Sequence, residues 1–122
     1  MDVLLVEDEP LIREMLAEDL ADTGLDVAEA PSAEAALGAA GRADRPPRVL
    51  VTDVNLGGGM DGFALAAEIR RRWPDVGVVV MTGKPSNLNG RNPDPREVCL
   101  VKPFGPPRLA AAVNELMGRS DR

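Results

Sequence analysis

Short apolar runs rich in valine recur along the chain, and longer segments with helical features separate them. The first run is Val3–Val6, and the others are residues 27–28, 49–51, 76–81 and 98–101. Runs of this length and β-branching are typical of strands that are buried on both faces of a sheet. Because helix-length segments lie between the runs, crossover connections must join the strands, which makes the sheet parallel and covers both its faces. The pattern predicts a three-layer α/β sandwich.

Capping residues indicate where the intervening helices begin and end. Pro10 suits a first helical turn, and Gly24 ends the helix that follows. Ser32 is a good cap for a second, alanine-rich helix that Gly41 closes, and Asp61 can cap a third. A final helix is indicated by apolar residues at helical spacing, namely Leu109, Val113, Leu116 and Met117.

The segment between the fourth and fifth strands departs from this pattern. Residues 84–97 contain three prolines, three asparagines and a glycine, and they present no apolar face. Proline and glycine both have poor helix propensity. We therefore expect a loop with at most one helical turn at the place where the topology requires a crossover helix, so that the fourth helix of the sandwich is short or absent.

Length, charge and composition exclude several classes of protein. A chain of 122 residues is one domain, residues 1–122, and is long enough to fold without a disulfide or a metal. It contains no histidine, which excludes a Ser-His-Asp triad, a Cys-His pair and a His-ligated zinc site. The net charge of −6 disfavours binding of this chain to nucleic acid or to an anionic membrane. With one cysteine, no membrane-length apolar stretch and no secretory signal, we expect a cytoplasmic protein.

Polar and charged residues follow four of the five predicted strands. Glu7 and Asp8 follow the first strand, Asp53 the third, Thr82 the fourth and Lys102 the fifth. In an open parallel sheet, functional groups gather outside the carboxyl ends of the strands, so we expect these five at one edge. Three neighbouring carboxylates repel one another unless a cation joins them, and oxygen ligands select a hard ion such as Mg²⁺. A cation, an ammonium and a hydroxyl around one carboxylate are typical of phosphoryl transfer.

The motifs at these strand ends resemble those of the receiver domains of two-component response regulators. The resemblance extends over the full length of the chain and implies a five-stranded, flavodoxin-like sheet in the order 2-1-3-4-5. It implies a bacterial, phospho-accepting signalling switch rather than an enzyme, since such a domain catalyses only its own phosphorylation and dephosphorylation. The matching segments are residues 3–9 (VLLVEDE), Thr52-Asp53, Met60-Asp61-Gly62, Met81-Thr82-Gly83 and Val101-Lys102-Pro103-Phe104.

The resemblance also implies which residues accept the phosphoryl group and bind the metal. Asp53 would be phosphorylated by a phosphohistidine on a histidine kinase or a histidine phosphotransfer protein. Mg²⁺ would be held by Asp8, Asp53 and the backbone carbonyl of Asn55, with Glu7 acting mainly through water.

Two further residues would contact the phosphoryl group. Lys102 would pair with its oxygens and act with Asp53 as a catalytic residue, and Thr82 would move to hydrogen-bond one of them. The Lys102-Pro103 peptide bond would be cis. An unidentified downstream partner would then recognise the changed conformation.

The sequence departs from the family pattern at three places. Residues 57–59 are all glycine where the family usually has a proline and one residue fewer, which predicts a looser loop. Cys99 stands where the family usually has an aromatic residue, and we expect it to be an inert thiol in the core. The fourth helix is degraded. We therefore expect the signal to pass through Thr82 to the loop from Gly83 to Arg96.

Two functions of other classes are compatible with the same fold. A magnesium phosphohydrolase with an aspartate nucleophile often has a second acid two residues later to protonate the leaving group, but here that residue is Asn55. A flavin- or nucleotide-binding domain would need a Ser/Thr-rich loop after the first strand and aromatic residues to stack on the ring, and this sequence has neither. Residues 77–84 fail as a phosphate-binding loop because Pro85 replaces the required Ser or Thr. Phosphate release from phosphoesters would favour the first function, and a yellow protein the second.

Overall fold

The computed structural model describes residues 1–92 and 94–120. In chain order its strands are β1 (Val3–Val6), β2 (Val27–Ala30), β3 (Val49–Asp53), β4 (Gly77–Thr82) and β5 (Glu97–Val101). They form one parallel sheet in the order β2-β1-β3-β4-β5. Both the predicted fold class and the predicted strand order are confirmed.

The helices begin close to the predicted caps. They are α1 (Pro10–Ala21), α2 (Ala33–Arg42), α3 (Gly62–Arg72) and α4 (Pro106–Ser120). The side chains of Ser32 and Asp61 accept hydrogen bonds from the first turns of α2 and α3, as the sequence predicts. Gly41 does not close α2: the helix continues to Arg42 because the chain leaves it through extended backbone at Ala43 rather than through a left-handed glycine.

Helices cover both faces of the sheet. Because successive strand residues point to opposite sides, each strand contributes side chains to both layers of the core. On one face α1 and α4 pack against residues such as Leu5, Val51 and Met81, and on the other α2 and α3 pack against Leu4 and Leu50. Every residue of β1, β3 and β4 is buried, so the strands that carry the site are held rigidly from both sides. None of the helices in the described ranges is long and apolar enough to span a bilayer.

No α-helix connects β4 to β5 in the described part of the segment. A single 3₁₀ turn, Pro85–Leu88, is the only helical structure among its described residues. The prediction of a loop with at most one helical turn is therefore confirmed for those residues, and Pro93 lies outside them.

A cluster of charged side chains covers the part of the sheet where the fourth helix of a regular sandwich would pack. The buried carboxylate of Glu97 binds Arg91 Nη1 at 2.8 Å and Arg70 Nη1 at 3.1 Å. Arg91 also stacks over the ring of Phe63, 3.9 Å from its centroid. Arg91, which belongs to the loop, thereby joins β5 to α3 in place of an apolar helix face.

Cys99 packs against the core but is only partly buried, and it also contacts this charged cluster, so the prediction of a buried core thiol is confirmed only in part. Its side chain is half-buried, and its thiol donates a hydrogen bond to Glu97 Oε2 at 3.4 Å. Burial raises the pKa of the Cys99 thiol, and the neighbouring Glu97 carboxylate raises it further. β5 is the edge strand and α4 packs on its other face, away from Cys99, which explains the partial exposure of the thiol.

We expect Glu97→Gln to destabilise the protein by about 2–3 kcal/mol, because it removes the buried counterion of Arg91 and leaves Arg70 only its longer contact with Asp94, at 3.9 Å. The measurement is urea denaturation of wild type and variant. Glu68→Gln is the matched control, since Glu68 also pairs with two arginines, Arg71 and Arg72, but at the exposed surface. Its midpoint should stay close to that of wild type. Equal losses in the two variants would contradict a structural role for the buried cluster.

Candidate functional site

The structure brings the five predicted site residues to the carboxyl edge of the sheet. Glu7 and Asp8 directly follow β1, Asp53 is the last residue of β3, Thr82 is the last residue of β4, and Lys102 directly follows β5. Because β3 lies between β1 and β4, Asp53 has the acidic pair on one side and the hydroxyl on the other.

Three carboxylates form the centre of this edge. One oxygen from each of Glu7, Asp8 and Asp53 lies within 4.8 Å of the others. Glu7 is 1% exposed and Asp53 is 9% exposed, whereas Asp8 is open to solvent. The cluster therefore has a buried floor and one accessible side.

Lys102 partly offsets the negative charge of this cluster. Its Nζ lies 3.4 Å from Asp53 Oδ2 and 3.6 Å from Glu7 Oε1. Burial raises the pKa of Glu7, and the adjacent Asp8 and Asp53 raise it further, while Lys102 lowers it. One ammonium therefore cannot neutralise the negative charge of three ionised carboxylates at this edge.

The cluster fits a hard divalent cation. Glu7 Oε1 is buried and accepts no hydrogen bond from any of the described residues. All three side-chain ligands are carboxylates, which is the donor chemistry that Mg²⁺ prefers. A divalent ion would reverse the effect of burial on Glu7, because it favours the ionised carboxylate.

The glycine loop after β3 passes close to the carboxylate cluster. Gly57 has a φ of 76°, and a Cβ added there would lie 3.3 Å from Asp8 Oδ2. A side chain at this position would therefore crowd the carboxylate as well as strain the backbone. Asn55, the predicted backbone ligand, lies in the same loop two residues after Asp53.

Beyond the strand ends, the predicted cis bond between Lys102 and Pro103 is confirmed. Phe104 follows it and packs partly buried against the core beneath α1 and α4. The chain thus turns back into the fold directly after the lysine.

Sequence reasoning missed one residue of the site, Asn87. Its side-chain Nδ2 donates a hydrogen bond of 2.9 Å to Thr82 Oγ1. The residue lies in the 3₁₀ turn of a segment that contains three asparagines, at positions 87, 89 and 92, and no spacing distinguishes one from another. Only the folded position of the turn identifies the one that reaches Thr82.

Comparison with known proteins gives the family. The family model for the response regulator receiver domain matches residues 3–114. The chain is 31% identical to the receiver domain of NtrX from Brucella abortus, with a TM-score of 0.80 over 96% of this chain and 98% of that one. The response regulator protein TrrA from Thermotoga maritima, solved in complex with Mg(2+)-BeF, is 28% identical with a TM-score of 0.78 over 93% of this chain and 96% of that chain. The chain belongs to the response regulator receiver domain family of two-component signal transduction.

Curated relatives are longer than this chain. It is 32% identical to the transcriptional regulatory protein AruR of Pseudomonas aeruginosa over 96% of the chain and 49% of the relative. It is 33% identical to the sensor kinase CckA of Brucella abortus over 98% of the chain but 13% of that protein. The chain therefore spans about half or less of these relatives, which combine the shared domain with different activities.

Proposed function

We propose that this protein is a phosphorylation-dependent switch in which Asp53 accepts a phosphoryl group from a phosphohistidine on a histidine kinase or a histidine phosphotransfer protein. The observation that supports the proposal most strongly is the geometry around Asp53. Its carboxylate lies within 4.8 Å of two further carboxylates and 3.4 Å from the Lys102 ammonium. This arrangement can bind a divalent cation and phosphoryl oxygens at the same place.

The transfer is a displacement at phosphorus. A carboxylate oxygen of Asp53 attacks, a P–O bond forms as the P–N bond to the imidazole breaks, and the electron pair of that bond returns to the ring nitrogen. Lys102 pairs with the phosphoryl oxygens and Thr82 hydrogen-bonds one of them. Asp8, Asp53, the Asn55 carbonyl and, through water, Glu7 would hold Mg²⁺, which when bound neutralises charge on the phosphoryl oxygens.

The surface beside the site supports a protein as the phosphoryl donor. Leu11 is 80% exposed, Ile12 36% and Met15 53%, and all three lie in the first turns of α1. This helix begins three residues after Glu7, so an apolar face adjoins the acidic edge. A helix of the donor that packs on this face could bring its phosphohistidine to Asp53. Nucleic acid and membranes are not proposed as partners of these residues, since the net charge is −6.

A phosphohydrolase or another enzyme with a small-molecule substrate receives no support from the cavities. A cavity of about 420 Å³ is lined by residues 45–48 and 72–76, and one of about 350 Å³ lies between α1 and β2. Asp53 lines neither of them. Neither of these two cavities offers Asp53 a small-molecule substrate, and the activity that we propose is phosphorylation and dephosphorylation of the domain itself.

Mg²⁺ should raise the Tm of the wild-type protein, because a ligand present at 100 times its Kd stabilises the folded state by about 2.7 kcal/mol. Asp8→Asn should lose most of this rise, since it removes one anionic ligand from the cluster. Thermal melts across a Mg²⁺ titration measure both effects.

Asp26→Asn is the control for this titration. Asp26 precedes β2 at the opposite edge of the sheet, where its carboxylate pairs with the N-terminus. This variant should respond to Mg²⁺ as the wild type does. A rise in Tm of equal size in Asp8→Asn would contradict the proposed metal site.

A further inference from the structure

The hydroxyl of Thr82 is fully occupied in this structure. It donates a hydrogen bond to the carbonyl of Lys84 at 3.1 Å, and it accepts hydrogen bonds from Lys84 N at 3.0 Å and Asn87 Nδ2 at 2.9 Å. A hydroxyl has one hydrogen to donate and two lone pairs, so its capacity is used up. Thr82 can therefore donate to a phosphoryl oxygen only by giving up its bond to the Lys84 carbonyl, and a rotation of its side chain toward Asp53 would also break the bond that it accepts from Asn87.

Of these partners, Asn87 is the one that links Thr82 to the 3₁₀ turn between β4 and β5. The two bonds to Lys84 are local, between residues two apart in sequence. Asn87 is half-buried in the 3₁₀ turn, five residues after Thr82, and it is the one side chain among the described residues that bonds this hydroxyl. A rotation of Thr82 would release this turn.

We propose that Asn87 is a positioning residue, which holds Thr82 in the resting orientation and whose release couples phosphorylation of Asp53 to movement of the 3₁₀ turn. The coupling rests on the proposed function, whereas the resting contact can be measured without it. The contact stabilises the resting state only, so its loss should favour the phosphorylated form.

The far end of the segment is anchored, which limits how far the movement extends. Arg91 is held by the buried Glu97 carboxylate at 2.8 Å and by the ring of Phe63 at 3.9 Å. Residues 83–90 lie between this anchor and Thr82. We expect these residues to rearrange and Arg91 to keep its contacts.

The first test uses the unmodified protein. Asn87→Leu keeps the approximate size of the side chain but removes the donor, and Asn89→Leu is the control because Asn89 is exposed in the same segment and does not contact Thr82. In Asn87→Leu, the amide hydrogen of Lys84 should exchange with solvent faster than in the wild type. The NMR signal of the Thr82 methyl group should also show more than one side-chain rotamer. Asn89→Leu should match the wild type. Unchanged exchange and a single rotamer in Asn87→Leu would overturn the proposed hold.

The second test measures binding of beryllofluoride, a phosphoryl mimic, in the presence of Mg²⁺. Asn87→Leu should tighten the apparent Kd by about two- to tenfold, the equivalent of one neutral hydrogen bond. In a Thr82→Val background the same substitution should have no effect, since the hydroxyl on which it acts is gone.

The outcomes separate this inference from the proposed function. Equal Kd values for wild type and Asn87→Leu, or an equal gain in the Thr82→Val background, would overturn the role of Asn87 while the switch itself stands. No binding of beryllofluoride by the wild type would contradict the proposed function and the coupling. The first test would then still decide whether Asn87 holds Thr82.

Discussion

Asp53→Asn is expected to accept no phosphoryl group from a small acyl phosphate under conditions in which the wild type accepts one. The amide that replaces the carboxylate is uncharged and a poor nucleophile, and it is also a weaker ligand for a divalent cation. Glu7 and Asp8 remain in the variant, so any labelling that persists would identify a different acceptor. Intact mass spectrometry after incubation with Mg²⁺ measures the number of groups added.

Asp61→Asn is the matched control for this substitution. Asp61 is an exposed aspartate whose side chain accepts a hydrogen bond from Ala64 N at the start of α3, and asparagine caps helices about as well as aspartate does. This variant should fold normally and gain one phosphoryl group. Labelling of Asp53→Asn to the wild-type level would refute the assignment of the acceptor.

Gly62→Ala is expected to destabilise the protein by at least about 3 kcal/mol or to prevent folding, because no space exists for a methyl group at this position. A Cβ added to Gly62 would lie 2.1 Å from the carbonyl oxygen of Asp53 and 3.0 Å from Val54 Cα. These are backbone atoms, which cannot rotate away as a side chain would. The first turn of α3 would have to move away from the end of β3. That movement would also strain the hydrogen bond of 2.8 Å that Gly62 N donates to Val54 O, just after the strand.

Gly58→Ala separates this steric effect from the general cost of replacing a glycine near the site. Gly58 lies in the loop just before α3, and an added Cβ there would meet no atom within 4 Å. Urea denaturation should give it a midpoint close to that of wild type. If Gly62→Ala proves as stable as Gly58→Ala, the close packing of α3 on β3 is not present in solution.

The elements that determine the edge of the sheet were predictable from local sequence. Buried parallel strands are recognisable because both faces need apolar residues, so runs such as Val3–Val6 stand out from their surroundings. The polar residues that end these runs, Asp53 and Thr82 among them, then share one edge because all strands run parallel. Strand periodicity and topology alone therefore place the candidate site.

Contacts that depend on the folded loop were not predictable in this way. Glu97 meets Arg70 across 27 residues of sequence, and Arg91 reaches Phe63 on a different element. Neither pairing has a periodic signal, because each joins residues that are distant in sequence and meet only in the folded chain. The prediction for Cys99 was incomplete for the same reason: its apolar neighbours in β5 indicated full burial, but on its face of the strand charged side chains pack beside it and leave it partly exposed.

Mapping the phosphoryl group on the wild-type protein tests the proposed switch most directly. The protein is incubated with an acyl phosphate, once with Mg²⁺ and once with excess chelator, and its peptides are analysed by tandem mass spectrometry. We expect a single phosphoryl group on the peptide that contains Asp53, in the Mg²⁺ sample only. A phosphoryl group added to the same extent in excess chelator as in Mg²⁺, or found on another residue such as Asp8, would contradict the proposed switch.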